Sequence, residues 1–338
     1  ALRNAGLRCA VIGNCDTPGE NKRYLVSFMM DDQGMVPKGH VDKSLLITDY
    51  SRPFGIRTDY DKLMQAVDEL WGTTDVFAIQ LGDTSRAEDF RYEATDSMNE
   101  QYKRTAIEES DAFIGNLIPR LNWERDRILI VTPLGSARDL AENNRLTPVI
   151  MAGKGFSKGL LSSGSTKRAG IITNLDIGAT ILNCYQIPRY GGQLGSRVFS
   201  TTRSMDIQEL LDYNIRLKEV SNQRTPLLRS YVVVLVILLA SSLLSIFFFR
   251  KFLSQVGVFL QFVMAVPIAY LLLPFFHQPT FIGSLILSWI LAMVIAGLIG
   301  IWKRNTFLQI GALCTAIVLL LIVDQLTGAH LIPSFTLS

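Results

Sequence analysis

Residues 75–83, DVFAIQLGD, decide how the first part of this chain is read. Val-Phe-Ala-Ile run on without a polar break, the pattern of a strand in a sheet covered on both faces. Gly82-Asp83 ends the run, and Asp83-Thr84-Ser85 suits the start of a helix. The same alternation recurs on either side. RCAVIGN at 8–14 reads as a strand closed by a Gly-Asn turn, and YLVSFMMDDQG at 24–34 as a second strand and turn. Residues 59–71 place Leu63, Ala66, Val67 and Leu70 at helical spacing. A longer helix is expected at 98–121, with Tyr102, Ala106, Phe113, Ile114, Leu117 and Ile118 facing inward. ILIVT (128–132) and PVIMAGKG (148–155) read as strands, and TNLDIGATILNCYQI (173–187) as a helix capped by Thr173 or Asn174. Asp206 and Glu209 have capping-box spacing for a last helix over 206–223, leading through Arg224-Thr225-Pro226 toward a long apolar run. Strands alternating with helices predict an α/β fold with a mostly parallel sheet flanked by helices.

The remainder has another character. The chain has 338 residues and is 49 % hydrophobic, yet from Ser230 onward its only charges are Arg250, Lys251, Lys303, Arg304 and Asp324. Removing those four basic and one acidic residues from the totals of 33 and 30 leaves 29 of each sign before Ser230. The first part is therefore near neutral, with no basic stripe for nucleic acid. Four uncharged apolar stretches, about 230–249, 252–276, 278–302 and 305–323, match the ~20 residues a helix needs to cross a bilayer. The organisation expected is an α/β domain over 1–203, a connecting helix and linker over 204–229, and an all-α membrane bundle over 230–338. Basic pairs at 250–251 and 303–304 flank the uncharged loop HQPT (277–280). The positive-inside rule puts those pairs in the cytoplasm and the α/β domain on the extracytoplasmic side of a plasma membrane. Arg224 and Arg229 mildly oppose that orientation. Asp324, after the fourth stretch and near His330, is expected at the membrane interface. A start at Ala1 and a stop soon after an apolar run predict a fragment truncated at both ends.

Chemistry-bearing motifs are sparse. Cys9, Cys15, Cys184 and Cys314 are too scattered for a disulfide framework or a zinc cluster. There is no Gly-rich phosphate loop, no GxSxG and no HExxH, and Lys154 in MAGKG lacks P-loop spacing. Before Ser230 there is one histidine, His40, expected in a polar turn.

Taken in order, these segments resemble the alkaline phosphatase-like superfamily of sulfatases, phosphoglycerol transferases and cofactor-independent phosphoglycerate mutases. ALRNAGLRCAVIGN is similar to its first "AGY.T..IGK" strand, and DVFAIQLGDT to a later core strand. YKRTAIEESDAFIGNLIPRL resembles its "Y…I..tD..iG.ll..L" helix, including Asp111 and Gly115. ILIVTPLG falls where the family has "tlvvftSDHG", TPVIMAGKG resembles "vPlii.gPg", and residues 170–188 resemble "v..vDiaPTlL.laGi". The likeness covers most of residues 1–188.

That resemblance implies a metal-dependent phosphoryl or sulfuryl transfer, in which one or two divalent ions held by Asp and His activate a Thr, Ser or modified Cys. Residue by residue, the ligands are not carried over. Pro133 and Leu134 stand in register with the family's Asp-His pair, Leu146 near its later His, and Asn14, Cys15 and Asp16 where sulfatases have Lys-x-His. No cofactor is expected, and Mn or Zn would enter only if upstream residues completed a reduced site.

Polar groups nevertheless line the strand ends: Asn14, Asp16 and Thr17; Asp83, Thr84, Ser85 and Arg86; Thr132, Ser136 and Arg138. They read either as helix caps and turn closures or as a binding rim in which Arg86 and Arg138 grip an anionic envelope or lipid-linked ligand. Asp176 reads as a first-turn carboxylate stabilised by its helix dipole. Three functions are consistent with this pattern. They are a membrane-anchored pseudoenzyme that binds a ligand or partner, a hydrolase or transferase with a reduced metal site, and a transporter or channel with an accessory domain. The absence of ionisable residues inside the spans counts against the last.

Overall fold

The structure is a computed structural model and describes residues 1–189, 191–248, 251, 253–276, 280–302 and 306–327. Arg250, His277, Lys303, Arg304 and His330, on which part of the expected topology turns, lie outside the described residues. In chain order the elements are β1 (Cys9–Ile12), α1 (Tyr24–Met29), β2 (Lys38–His40), β3 (Leu46–Thr48), β4 (Ile56–Thr58), α2 (Tyr60–Leu70), β5 (Val76–Ile79), α3 (Asp83–Asp89) and α4 (Asp96–Leu117). After α4 come β6 (Arg127–Val131), α5 (Ala137–Ala141), β7 (Val149–Gly153), β8 (Leu161–Ser163), α6 (Asn174–Cys184), β9 (Val198–Ser200), α7 (Ile207–Phe247), α8 (Leu253–Leu272), α9 (Phe281–Trp302) and α10 (Thr306–Thr327). They form two compact units that interleave along the chain. One comprises Ala1–Thr132, Val149–Phe156 and Asn174–Arg197; the other comprises Pro133–Pro148, Ser157–Thr173 and Val198–Ser338. The boundaries expected near 203 and 229 both fall within the second unit.

In the first unit, β1 is the centre of a parallel sheet in the order β2-β1-β5. All of β1 is buried, because successive side chains point to opposite covered faces. Ala10 and Ile12 join Leu63, Ala66, Val67 and Leu70 of α2 and Phe113 and Leu117 of α4. Cys9 and Val11 pack instead on Met29, Leu25 and Val26 of α1. Each large aliphatic side chain so buried contributes about 1.5–3 kcal/mol.

Three expectations are corrected here. YLVSFM is a helix rather than a strand: Leu25, Val26 and Met29 share one face against the sheet, while Tyr24 and Phe28, one turn apart, are exposed. Its place beside β1 is taken by the polar Lys38–His40, so His40 ends a strand instead of occupying a turn. The sheet is also less parallel than expected. β6 and β7 form a separate antiparallel pair, with Leu129 opposite Met151. The apolar runs locate these strands but carry no information about direction.

In the second unit, β8 and β9 pair antiparallel and the capping box of Asp206 and Glu209 opens α7. The helix expected over 206–223 is present, but the linker expected after it is helical too: α7 continues through Pro226 without a break to Phe247. At 1.5 Å per residue it is about 60 Å long, twice the hydrocarbon thickness. Pro226 cannot donate to the carbonyl of Asn222, and nearby the Tyr270 hydroxyl donates to the Leu227 carbonyl at 2.9 Å. Among the described residues, four helices (α7 to α10) are long and apolar enough to cross a membrane. Ala265, Val266, Ile268, Ala269, Ala292 and Leu313 make their core, and the three alanines let helix backbones approach closely. Asp324, expected at the interface, is 1 % exposed near the end of α10.

The amino ends of β1 and β5 are clamped by Arg8 and Asp75. The Arg8 backbone N–H donates to Asp75 at 2.8 Å and its guanidinium grips the carboxylate at 2.9 and 3.0 Å. That guanidinium, with the backbone N–H, holds the Asp75 carboxyl down at about 2 against an ordinary 3.8. A depressed folded-state value stabilises the fold above the unfolded value, and the contribution is lost as pH falls through the folded one. Asp75→Asn should therefore flatten the acid limb of stability from about pH 4 down to about pH 2, as measured by urea unfolding across that range.

Candidate functional site

The chain leaves β1 for β2 on one side and later enters β5 on the other. Such a reversal is where α/β sheets open a crevice beyond the carboxyl ends of their strands. Here those ends are residues 13–17 after β1 and 80–82 after β5, running into α3.

A side chain occupies this position. Arg86 is 1 % exposed. Its Nε and Nη2 donate to Asp83 Oδ1 at 3.1 and 2.8 Å, and Nη2 also reaches the Thr58 hydroxyl at 2.6 Å. Nη1 donates to the carbonyls of Asn14 and Asp16 at 3.3 and 3.2 Å. A guanidinium has five N–H donors, and these contacts engage them all. Asp83 also accepts from the Thr58 backbone N–H at 3.1 Å. Asp16, 0 % exposed, accepts from the Lys22 N–H at 2.8 Å and from Arg23 Nη2 at 3.0 Å. Asn14 ties the loops together: its Oδ1 accepts from the Asp16 N–H at 3.0 Å, and its Nδ2 donates to the Asp42 carbonyl at 2.9 Å. Two guanidiniums thus balance two carboxylates, which is the condition for burying either.

Two glycines permit this closeness. A methyl at Gly82 would strike the Asn14 carbonyl oxygen, and one at Gly13, where φ is 91°, would strike that of Gln80. Neighbouring groups stay uncharged. Burial, then the adjacent Asp83, pushes the Tyr60 phenol far above its usual range, and its hydroxyl lies 3.4 Å from that of Ser110. Burial likewise raises the Cys15 thiol, which leaves it a poor nucleophile.

Of the expected rim residues, the structure brings Asn14, Asp16, Asp83 and Arg86 into one network. Thr17 closes the adjoining turn to Glu20, and Thr84 is exposed on the first turn of α3. Thr132 is exposed just past β6, beside an exposed Pro133 and a Leu134 that is 77 % exposed. Ser136 and Arg138 belong to the second unit. There Ser136 caps α5 through the Asp139 N–H at 3.1 Å, and Arg138 lies 3.6 Å from Glu142. Asp176 is buried in α6 and accepts from the Ser196 N–H at 2.8 Å, a contact between distant segments beyond the expected dipole role. Thr58, Lys22 and Arg23 were not legible as members of the network, since no local pattern links them to Arg86; the Asp83-Arg86 spacing of three on a helix was the one available signal.

A divalent metal does not fit this arrangement. Asp16 and Asp83 are committed to guanidiniums and backbone N–H groups, and Arg86 would repel a cation placed between them. Among the described residues, no three His, Cys, Asp or Glu side chains converge on a point that could hold a metal. No family model, curated protein or solved structure matches the chain.

Removing one member of a buried ion pair strands the other. Arg86→Met should cost about 3–5 kcal/mol in urea unfolding, and the double change Asp83→Leu/Arg86→Met clearly less. Equal costs would show that the pair is not the constraint.

Proposed function

We propose that this chain is a membrane-anchored, alkaline phosphatase-like pseudoenzyme whose α/β unit binds a ligand or partner in the cell envelope. One observation carries the reading: the crevice position of the sheet is filled by Arg86, whose donors are all spent on protein acceptors. A transferase needs an open position there for a metal, a nucleophile and a substrate oxyanion. Asn14, Asp16, Asp83 and Arg86 instead hold the strand ends together, and the positions in register with the family's Asp-His ligands are Pro133 and Leu134, neither of which can ligate.

The proposed location is the plasma membrane, with the α/β unit on the extracytoplasmic side. Support comes from the basic pairs at 250–251 and 303–304, assigned to the cytoplasm by the positive-inside rule.

Two measurements test this. The purified full chain, supplied with Mn²⁺ or Zn²⁺, should bind no stoichiometric metal and should not hydrolyse a phosphodiester. Stoichiometric metal with turnover that disappears in Asp83→Ala would instead establish the hydrolase. In intact cells, externally added protease should cleave the α/β unit without lysis, whereas cleavage only after lysis inverts the orientation.

A further inference from the structure

A cleft of ≈ 470 Å³ lies within the second unit, between residues 143–146 after α5 and one stretch of α7. That volume falls in the range of about 300–1,000 Å³ typical of small-ligand sites. Its helical wall carries Lys218, Ser221, Asn222 and Thr225, spaced i, i+3, i+4 and i+7 and so on one face. Arg224 and Arg145 also line it.

The charge balance in this cleft is uneven. Among the described residues, no acidic side chain lines it. Glu142, at its margin, pairs with Lys218 and also lies 3.6 Å from Arg138, so a single carboxylate serves two cations. Arg145 is exposed and has no ion-pair partner among the described residues. The loop presenting it is held in shape. Asn144 is buried, its Oδ1 accepts from the Leu146 N–H at 3.2 Å, and its backbone N–H donates to the Asp139 carbonyl at 2.7 Å. The Asn222 amide donates to the Glu142 carbonyl at 3.1 Å, fixing loop to helix.

Position along α7 supplies the second argument. Arg224 and Thr225 precede Ser230, where the uncharged run begins, by about 7.5–9 Å of helix rise, which sets them at the outer edge of a head-group layer about 5–7.5 Å deep. Lys218 lies higher on the same helix. The cleft therefore offers Arg224 and the Thr225 hydroxyl at the edge of the head groups, with Asn222, Ser221 and Lys218 above them, a match to a phosphate ester bearing further polar groups. Basic pockets beside membrane helices bind anionic head groups on the same chemistry.

We infer that the cleft between residues 143–146 and the pre-membrane part of α7 binds the phosphate of an anionic lipid. The inference rests on α7 entering the membrane and is independent of whether the α/β unit is an enzyme.

The test uses the full chain in phosphatidylcholine nanodiscs with and without phosphatidylglycerol, read by thermal unfolding and by native mass spectrometry of retained lipid. Phosphatidylglycerol should raise the melting temperature and be retained in preference to phosphatidylcholine. Arg145→Gln, at an exposed site that does not endanger folding, should weaken retention about fivefold, and so should Arg224→Gln. Glu142→Gln, which releases Lys218, should strengthen it. Equal retention of both lipids, or an unchanged preference in both arginine variants, would overturn the site. Soluble glycerol phosphate is the remaining arm: its failure to displace the lipid assigns the site to membrane phosphate, and full displacement would overturn the lipid source.

Discussion

The first unit depends on a buried guanidinium. Arg86 sits at the carboxyl ends of β1 and β5, and at 1 % exposure its charge is satisfied by protein groups. It therefore recruits Asp83 from its own helix, Thr58 from β4 and two carbonyls from the loop after β1. These contacts fix where α3 begins, how closely residues 80–82 approach Asn14, and why Gly82 carries no side chain. The second carboxylate, Asp16, extends the same demand to Arg23 and Lys22. A buried pair of this kind adds less stability than a well-packed apolar substitute would. What it imposes is a heavy penalty on any arrangement that leaves one partner alone.

The second unit is organised by α7. One continuous helix carries a polar first half, opened by a capping box, into an apolar second half long enough to cross a bilayer. A flexible linker would leave the pre-membrane residues free to reorient, whereas a helix holds Lys218, Ser221, Asn222 and Thr225 on one face and at set heights. Pro226 interrupts the hydrogen-bond ladder without ending the helix, because the missing donor affects one carbonyl while turns on both sides continue. Behind it, α8 packs on α7, α9 and α10 through alanines and valines.

The parts of this fold legible in the sequence are those written in short-range periodicity. Leu63, Ala66, Val67 and Leu70 announced α2 and are all buried. Asp206 and Glu209 announced a helix start and make the box. The continuous apolar run at β1 and the four long stretches after Ser230 were equally direct. What misled was a short apolar run without distinctive period. YLVSFM fits strand or helix alone, and only the neighbouring Cys9 and Val11 select the helix. Lys38-Gly39-His40 has no strand signature at all and becomes a strand because β1 offers it an edge.

The candidate site divides along the same line. By itself the sequence determined that the strand ends are polar, that one histidine precedes Ser230, and that a charged α/β part precedes apolar helices, since each of these is a matter of composition or spacing. Only tertiary structure decided that Arg86 turns inward and spends its donors on Thr58, Asp83, Asn14 and Asp16, while Arg138 stays at the surface beside Glu142. Their local contexts are alike, an arginine three or four residues after a glycine in the loop that leaves a strand. The difference lies in which distant acceptors the folded chain brings within hydrogen-bond reach, and no local pattern encodes that.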